Sequence, residues 1–252
     1  MRPARYSITG PFMVSFKRHL VGGVWSMLAG AAVASPFKVP DLHAATAYEI
    51  KLQLQYTSEP AGRTIEGPAL DLTAPLRPGL ETSLTFGRGR APGQTWGNLD
   101  TELAVKWEVV PIGEQDGKIG ITIEPPLVLP TGNRELGAGE RLLALPVIAG
   151  ANWGKLGLRG LVGYQHGFRS GDNSAQFGLL ATYDVSDRLT VGVEYASQAL
   201  MRRPHAYESS ADVGFKFTLT PKLELQGRIG RSLHSPADAG ATQTALFLEF
   251  AL

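Results

Sequence analysis

The 252-residue sequence contains no cysteine, which excludes disulfides, thiolate catalysis and cysteine-based zinc sites together. It also lacks an excess of charge of either sign. With 24 Lys and Arg against 23 Asp and Glu the formal charge is +1, so there is no basic field with which to hold nucleic acid. Beyond the N-terminus no run of 18 apolar residues occurs, which excludes a bundle of membrane-spanning helices. A membrane barrel stays open, because its apolar residues are diluted by alternation with polar ones. The hydrolase and metalloprotease signatures G-x-S-x-G and H-E-x-x-H are missing. Gly113 to Lys118 is one residue short of a phosphate loop and lacks its Ser/Thr, and Gly87 to Gly93 misses the dinucleotide spacing. What is present is 43% hydrophobic residues, 30 Gly and 17 Pro, a composition neither disordered nor collagen-like.

Arg2, Arg5, Lys17 and Arg18 precede the apolar stretch Leu20 to Ala34, which ends in Ala32-Val33-Ala34. Basic region, apolar core and small-residue end are the three parts of a secretory signal peptide, cleaved after Ala34. The stretch is too short and too rich in Gly and Ala for a membrane anchor. Translation from Met13 would give a more ordinary signal than translation from Met1. The sequence therefore divides into a signal peptide over 1–34, a periplasmic spacer over 35–46 and a barrel over 47–252.

From Tyr48 onward the chain alternates apolar and polar residues in short segments bounded by Gly, Pro, Asn and Asp. In Tyr48 to Tyr56 every even position is apolar or aromatic and every odd one polar. Similar segments recur at Pro68 to Leu76, Leu80 to Phe86, Thr101 to Val109, Ile119 to Leu129, Leu142 to Trp153 and Leu156 to Gln165. They continue at Ala175 to Val185, Leu189 to Ser197, Ala211 to Leu219, Leu223 to Ser232 and Thr244 to Leu252, making about twelve strands. Tight connections such as Leu76 to Gly79 and Val185 to Arg188 take turns with long polar ones around Ser58 to Gly67, Gly87 to Leu99, Pro130 to Glu140, Gly167 to Ser174, Ala199 to Ser209 and Leu233 to Thr242. Short turns alternating with long loops on an even strand number is the pattern of a bacterial outer-membrane barrel. Trp107, Trp153, Tyr183, Phe217, Phe250, Tyr56, Phe86, Tyr164 and Tyr195 all lie near strand ends and share the parity of the apolar side chains. That places them in two interfacial girdles facing lipid. A soluble sandwich or lipocalin-like barrel would also alternate, but it would need neither girdle.

The chain ends Leu246-Phe247-Leu248-Glu249-Phe250-Ala251-Leu252, with Leu246, Leu248, Phe250 and Leu252 on one face. This resembles the C-terminal signature read by the barrel assembly machinery, with Leu252 where Phe is usual. A second resemblance rests on Leu129-Pro130-Thr131-Gly132, preceded by Leu127-Val128 and followed by Asn133 and the Gly-rich Gly137-Ala138-Gly139, and on tandem strands such as Leu189 to Tyr195. From about Ser58 to the C-terminus the chain resembles the family named for phenol meta-cleavage degradation operons. That resemblance implies a porin-like outer-membrane transporter of hydrophobic or aromatic compounds. The internal L-P-T-G lacks the apolar tail and basic end that a sortase signal requires.

Inward parity collects the charges: Glu49, Lys51, Asp71, Glu81, Glu102, Lys106, Glu108, Glu124, Arg159, Asp184, Glu194, Lys216, Glu224 and Arg228 are the expected pore-lining residues. They either pair across strands or set the field of a solute path. Inward Gly157, Gly163, Gly178, Gly192, Gly214 and Gly230 leave room beside them. His166, Ser170 and Asp172 or Asn173 lie in one outer segment, resembling the Ser-His-Asn site of outer-membrane phospholipase A. However, Ser170 sits in a Gly-rich loop, where a nucleophile is poorly held. His166, His205 and His234 fall at outer ends without metal-ligand spacing.

The expectation is an exported Gram-negative outer-membrane barrel, not an enzyme, that passes a small solute by passive diffusion and needs no cofactor or metal. Its partners would be outer-membrane lipid, the assembly machinery and the solute, with no nucleic acid. The alternatives are an outer-membrane lipid hydrolase and a structural barrel whose external loops bind a partner.

Overall fold

The computed structural model describes residues 36–59, 62–113, 115–235 and 240–252. The expected signal peptide lies outside them. In chain order the strands are β1 (Glu49–Glu59), β2 (Gly62–Arg77), β3 (Leu80–Arg90), β4 (Gly97–Asn98), β5 (Thr101–Val110), β6 (Gly120–Ile123) and β7 (Pro126–Leu129). They continue with β8 (Leu142–Trp153), β9 (Leu156–Gly167), β10 (Asn173–Ser186), β11 (Leu189–Leu200), β12 (Arg203–Thr220), β13 (Leu223–His234) and β14 (Thr242–Ala251). The two-residue β4 only extends the edge of β3, and β6 and β7 are successive halves of one stave interrupted at Glu124-Pro125. Proline has no N–H to give the ladder, which accounts for the break. Each stave pairs antiparallel with its neighbours, and β1 pairs with β14 in the register Glu49↔Ala251 to Ser58↔Thr242. The result is a closed all-β barrel of twelve antiparallel staves, with no edge left to pair.

Alternation decides what faces each way. Outward are Leu52, Leu54, Leu145, Val147, Val162, Leu179, Val193, Val213, Ile229 and Leu246, all exposed. Inward side chains are polar and largely buried, including Lys51, Asp71, Glu81, Lys106, Gln226 and Arg228. An apolar exterior around a charged interior is the reverse of a water-soluble barrel and is what a lipid surround requires. Eight of the nine expected girdle aromatics are exposed on the outside, Tyr56 being half-buried.

Two expected loops are replaced by strand. The ladder between β1 and β2 runs up to Glu59↔Gly62, after a register shift next to Gly67, and β12 begins at Arg203 rather than near Ala211. Polar sequence above the bilayer loses the apolar alternation, yet the backbone still satisfies its hydrogen bonds by extending the hairpin.

The third departure concerns the expected periplasmic spacer. Residues 36–45 run inside the barrel, where Phe37, Lys38, Val39 and Leu42 are each at most 1% exposed. Ala44 and Ala45 meet Glu108 and Glu81 near the short-turn rim, and Lys38 meets Ser210 and Asp212 partway up β12. The segment therefore climbs from the rim into the middle of the lumen.

Candidate functional site: an occluded lumen

All fourteen charged residues expected from parity lie on the inward face. Lys51, Asp71, Glu81, Glu102, Lys106, Glu124, Glu194 and Arg228 are buried; Glu49, Glu108, Arg159, Lys216 and Glu224 are half-buried; Asp184 is exposed at the short-turn rim. The structure adds Glu66, Glu208, Asp212 and Glu249. Glu66 and Glu208 fall in stretches that read as loops, whereas Asp212 and Glu249 have inward parity in expected strands and were legible from it. With these four and Glu59, which shares the inward parity of β1, the inner wall carries fourteen carboxylates against five basic side chains.

Within this wall the ion pairs are few. Lys51 Nζ lies 2.8 Å from Glu249 Oε2, and Lys106 Nζ lies 3.5 Å from Glu81 and 3.7 Å from Glu124. Arg228 Nη2 donates to Gln55 Oε1 at 3.0 Å, and Arg159 reaches Asn152 and two backbone carbonyls. Gln165 Oε1 accepts from both Gln176 and Gln198, forming an amide ladder towards the outer end of β9, β10 and β11.

The N-terminal segment lies among these groups. Its backbone donates to wall carboxylates: Lys38 N–H and Val39 N–H to the two oxygens of Glu194 at 3.0 and 2.5 Å, Ala44 N–H to Glu108 at 2.5 Å, and Ala45 N–H to Glu81. Lys38 Nζ donates to Ser210 at 2.6 Å and to Asp212 at 2.9 Å, with both charged side chains fully buried. Asp41 pairs with Lys216 at 3.1 Å. Burial alone would raise the Asp41 carboxyl, but Lys216, then Arg159 and Lys106, hold it below the usual carboxylate range. Thr122 donates its hydroxyl to the Leu42 carbonyl at 2.7 Å.

The apolar contacts are equally specific. Phe37, Val39 and Leu42 form one buried cluster with Ile148, Leu161 and Leu180 from the wall. The phenyl ring of Phe37 lies against Gly192 and Gly214, where an added Cβ at Gly192 would come within 2.5 Å of Cζ. Val39 Cγ2 lies equally close to the Cβ position of Gly178. The space beside charged side chains that these three glycines were expected to leave free is thus occupied by the segment. Burying Phe37, Val39 and Leu42 stabilises the inserted state by about 1.5–3 kcal/mol per side chain.

The L-P-T-G-N stretch has a structural account. Asp100 accepts the N–H groups of Gly132 and Ala138 at 2.8 and 2.6 Å, Asn133 exchanges hydrogen bonds with Asn98, and Thr131 Oγ1 accepts the Thr101 N–H. Gly132 and Gly137 pack so closely on Asp100 that a Cβ at either would meet it at 2.7 and 2.5 Å. The motif staples the outer loop to the β4–β5 corner.

The hydrolase arrangement is only half assembled. His166 Nδ1 lies 2.7 Å from Asn173 Oδ1, as a base and its orienter would. Ser170 instead accepts the Asp172 N–H with its hydroxyl and donates its own N–H to Glu140, and no bond joins it to His166. Among the described residues no group of histidines and carboxylates is placed to hold a metal ion.

The polar interior, apolar exterior and closed ladder define a transmembrane-type β-barrel. The same fold occurs in a crystallised outer membrane channel from Pseudomonas putida F1, with a TM-score of 0.63 at 16% identity over 84% of this chain and 98% of that one. The NanC porin matches with a TM-score of 0.59 at 12% identity, over 82% of this chain and 100% of its own. The KdgM porin matches at 0.56 and 11%, over 81% and 99%. No family model and no curated relative matches the sequence.

Proposed function

We propose that this protein is an outer-membrane channel for a small solute, held closed by its own N-terminal segment. The observation that carries the reading is the insertion of residues 36–45 into a closed, charge-lined barrel with an apolar exterior. The wall groups that bind the segment are strand-borne and rigidly registered, whereas the segment has no regular secondary structure and is held by side chains. Movement of the segment would open a path without disturbing the barrel. The fourteen charged residues expected from parity would then line that path and set its field. The likeness in fold to outer membrane channels and porins supports the location and the transport class.

The aromatic or hydrophobic solutes implied by the resemblance to the phenol meta-cleavage family rest on that resemblance alone. The aromatic side chains buried inside, among the described residues, are Phe37 and Phe247, and Phe37 belongs to the occluding segment.

The test is single-channel recording of the mature chain in a planar bilayer, beside a variant lacking residues 36–45, each shown to be folded by its heat-sensitive gel shift. Rare openings in the first and sustained discrete steps in the second are expected. Silence from both folded proteins would overturn the channel reading in favour of a structural barrel.

A further inference from the structure

We propose that the unblocked lumen selects cations, and that the pocket now filled by the Lys38 ammonium is a binding position on their path. This rests on the channel reading and assigns the solute its charge class. The first observation is the imbalance of the wall, fourteen carboxylates against five bases. Lysines and arginines of the wall can neutralise five of those carboxylates at most, so when water replaces the segment the excess must be met by mobile cations.

The second observation is how the segment meets the wall. Everything it offers to Glu194, Glu108 and Glu81 is an N–H donor, and its own ammonium is seated against Asp212 and Ser210. Lys38 is fully buried there, so the pocket already accepts a desolvated primary ammonium. A cationic solute would find the same acceptors in the same places once the segment withdraws.

The third observation is Glu102. On the inner face it stands in one row with Asp71 and Thr85, and Val128 follows on the next stave. Lys51 lies in the same row, but beyond Asp71. Glu102 is 7% exposed, and its Oε1 is buried with no hydrogen-bond partner. A carboxylate left in this condition waits for a donor that the wall does not supply.

The experiment is the reversal potential of the variant lacking residues 36–45 in a KCl gradient across a planar bilayer. The proposal expects it to lie near the potassium equilibrium potential. In the same background Glu102→Gln with Asp212→Asn is expected to move it measurably towards zero. Should the deletion fail to fold, the full-length Gly178→Ala/Gly192→Ala chain, in which the segment is displaced sterically, serves for the same recording. A conducting barrel that reverses near zero, or near the chloride potential, overturns cation selection while leaving the channel intact. Absence of any conductance from folded protein removes the channel reading itself, and this inference with it.

Discussion

Two methyl groups should be enough to unseat the occluding segment. In Gly178→Ala the new carbon would lie 2.5 Å from Val39 Cγ2, while its nearest wall atoms, Leu161 Cβ and the Tyr195 carbonyl, stay at 3.5 and 3.8 Å. In Gly192→Ala it would lie 2.5 Å from Phe37 Cζ and 3.2 Å from the Ala181 carbonyl. Ordinary carbon contacts are about 3.5–4.0 Å, so at both positions the clash falls chiefly on the segment rather than on the barrel. Overpacking of this kind costs about 1–3 kcal/mol per site, hence roughly 2–6 kcal/mol for the pair if the sites act independently. At about 1.4 kcal/mol per factor of ten, the released fraction should rise on the order of 30-fold to 10⁴-fold. Open probability in bilayers reads this directly, and the rate of tryptic cleavage after Lys38 reads it without a membrane potential. Gly160→Ala is the control, because its added carbon meets nothing nearer than 3.8 Å. A folded double variant that is as closed and as resistant to trypsin as the parent would refute the reasoning.

Removing Asp212 should act on the same equilibrium by a different force. Asp212→Asn removes the carboxylate paired with the buried Lys38 ammonium, at a penalty of about 3–5 kcal/mol. Lys38→Met added to it should restore closure, and a double variant as open as Asp212→Asn alone would contradict that. At the outer surface, Asp100→Ala frees two loop N–H groups and should speed tryptic cleavage at Arg134 several-fold without altering conductance; an unchanged rate means the staple is not what holds the loop. On the outer face, Val193→Arg should destabilise the barrel by about 2–4 kcal/mol in urea titrations from liposomes, as a charge near mid-bilayer does. An effect near zero there would mean Val193 does not face lipid. Ester hydrolysis should be absent from the wild type, and turnover lost on Ser170→Ala would revive the hydrolase alternative.

Twelve staves, their order and the direction of the fourteen charges read from parity were legible because lipid imposes period-two alternation on every crossing strand. Legibility ended where that constraint ended. Above the bilayer, residues 62–67 and 203–210 carry polar sequence on both faces and look like loops, though their backbones still pair. The inserted segment was harder, since Pro36-Phe37-Lys38-Val39-Pro40-Asp41-Leu42 has no periodicity and its partners lie far along the chain. One signal could have revealed it. Gly192 and Gly214 are opposite each other in register, and Gly178 lies on the stave beside Gly192. Three inward glycines on adjacent staves leave a hollow that a close-packed interior must fill from elsewhere.

The placement of that segment also constrains the order of assembly. Its partners are up to 175 positions distant, with Asp41 paired to Lys216, Lys38 bound to Asp212 and the main chain of Lys38 to Glu194, 156 positions on. The seam between β1 and β14 closes only when the last strand arrives, so a half-built barrel has neither a continuous wall nor the far side on which Phe37 and Lys38 rest. Until then the charged faces of the early strands and the segment meant to cover them have no common enclosure. Lodging of the N-terminal segment therefore waits on β11 and β12, with the loop-closure entropy of the intervening chain set against it.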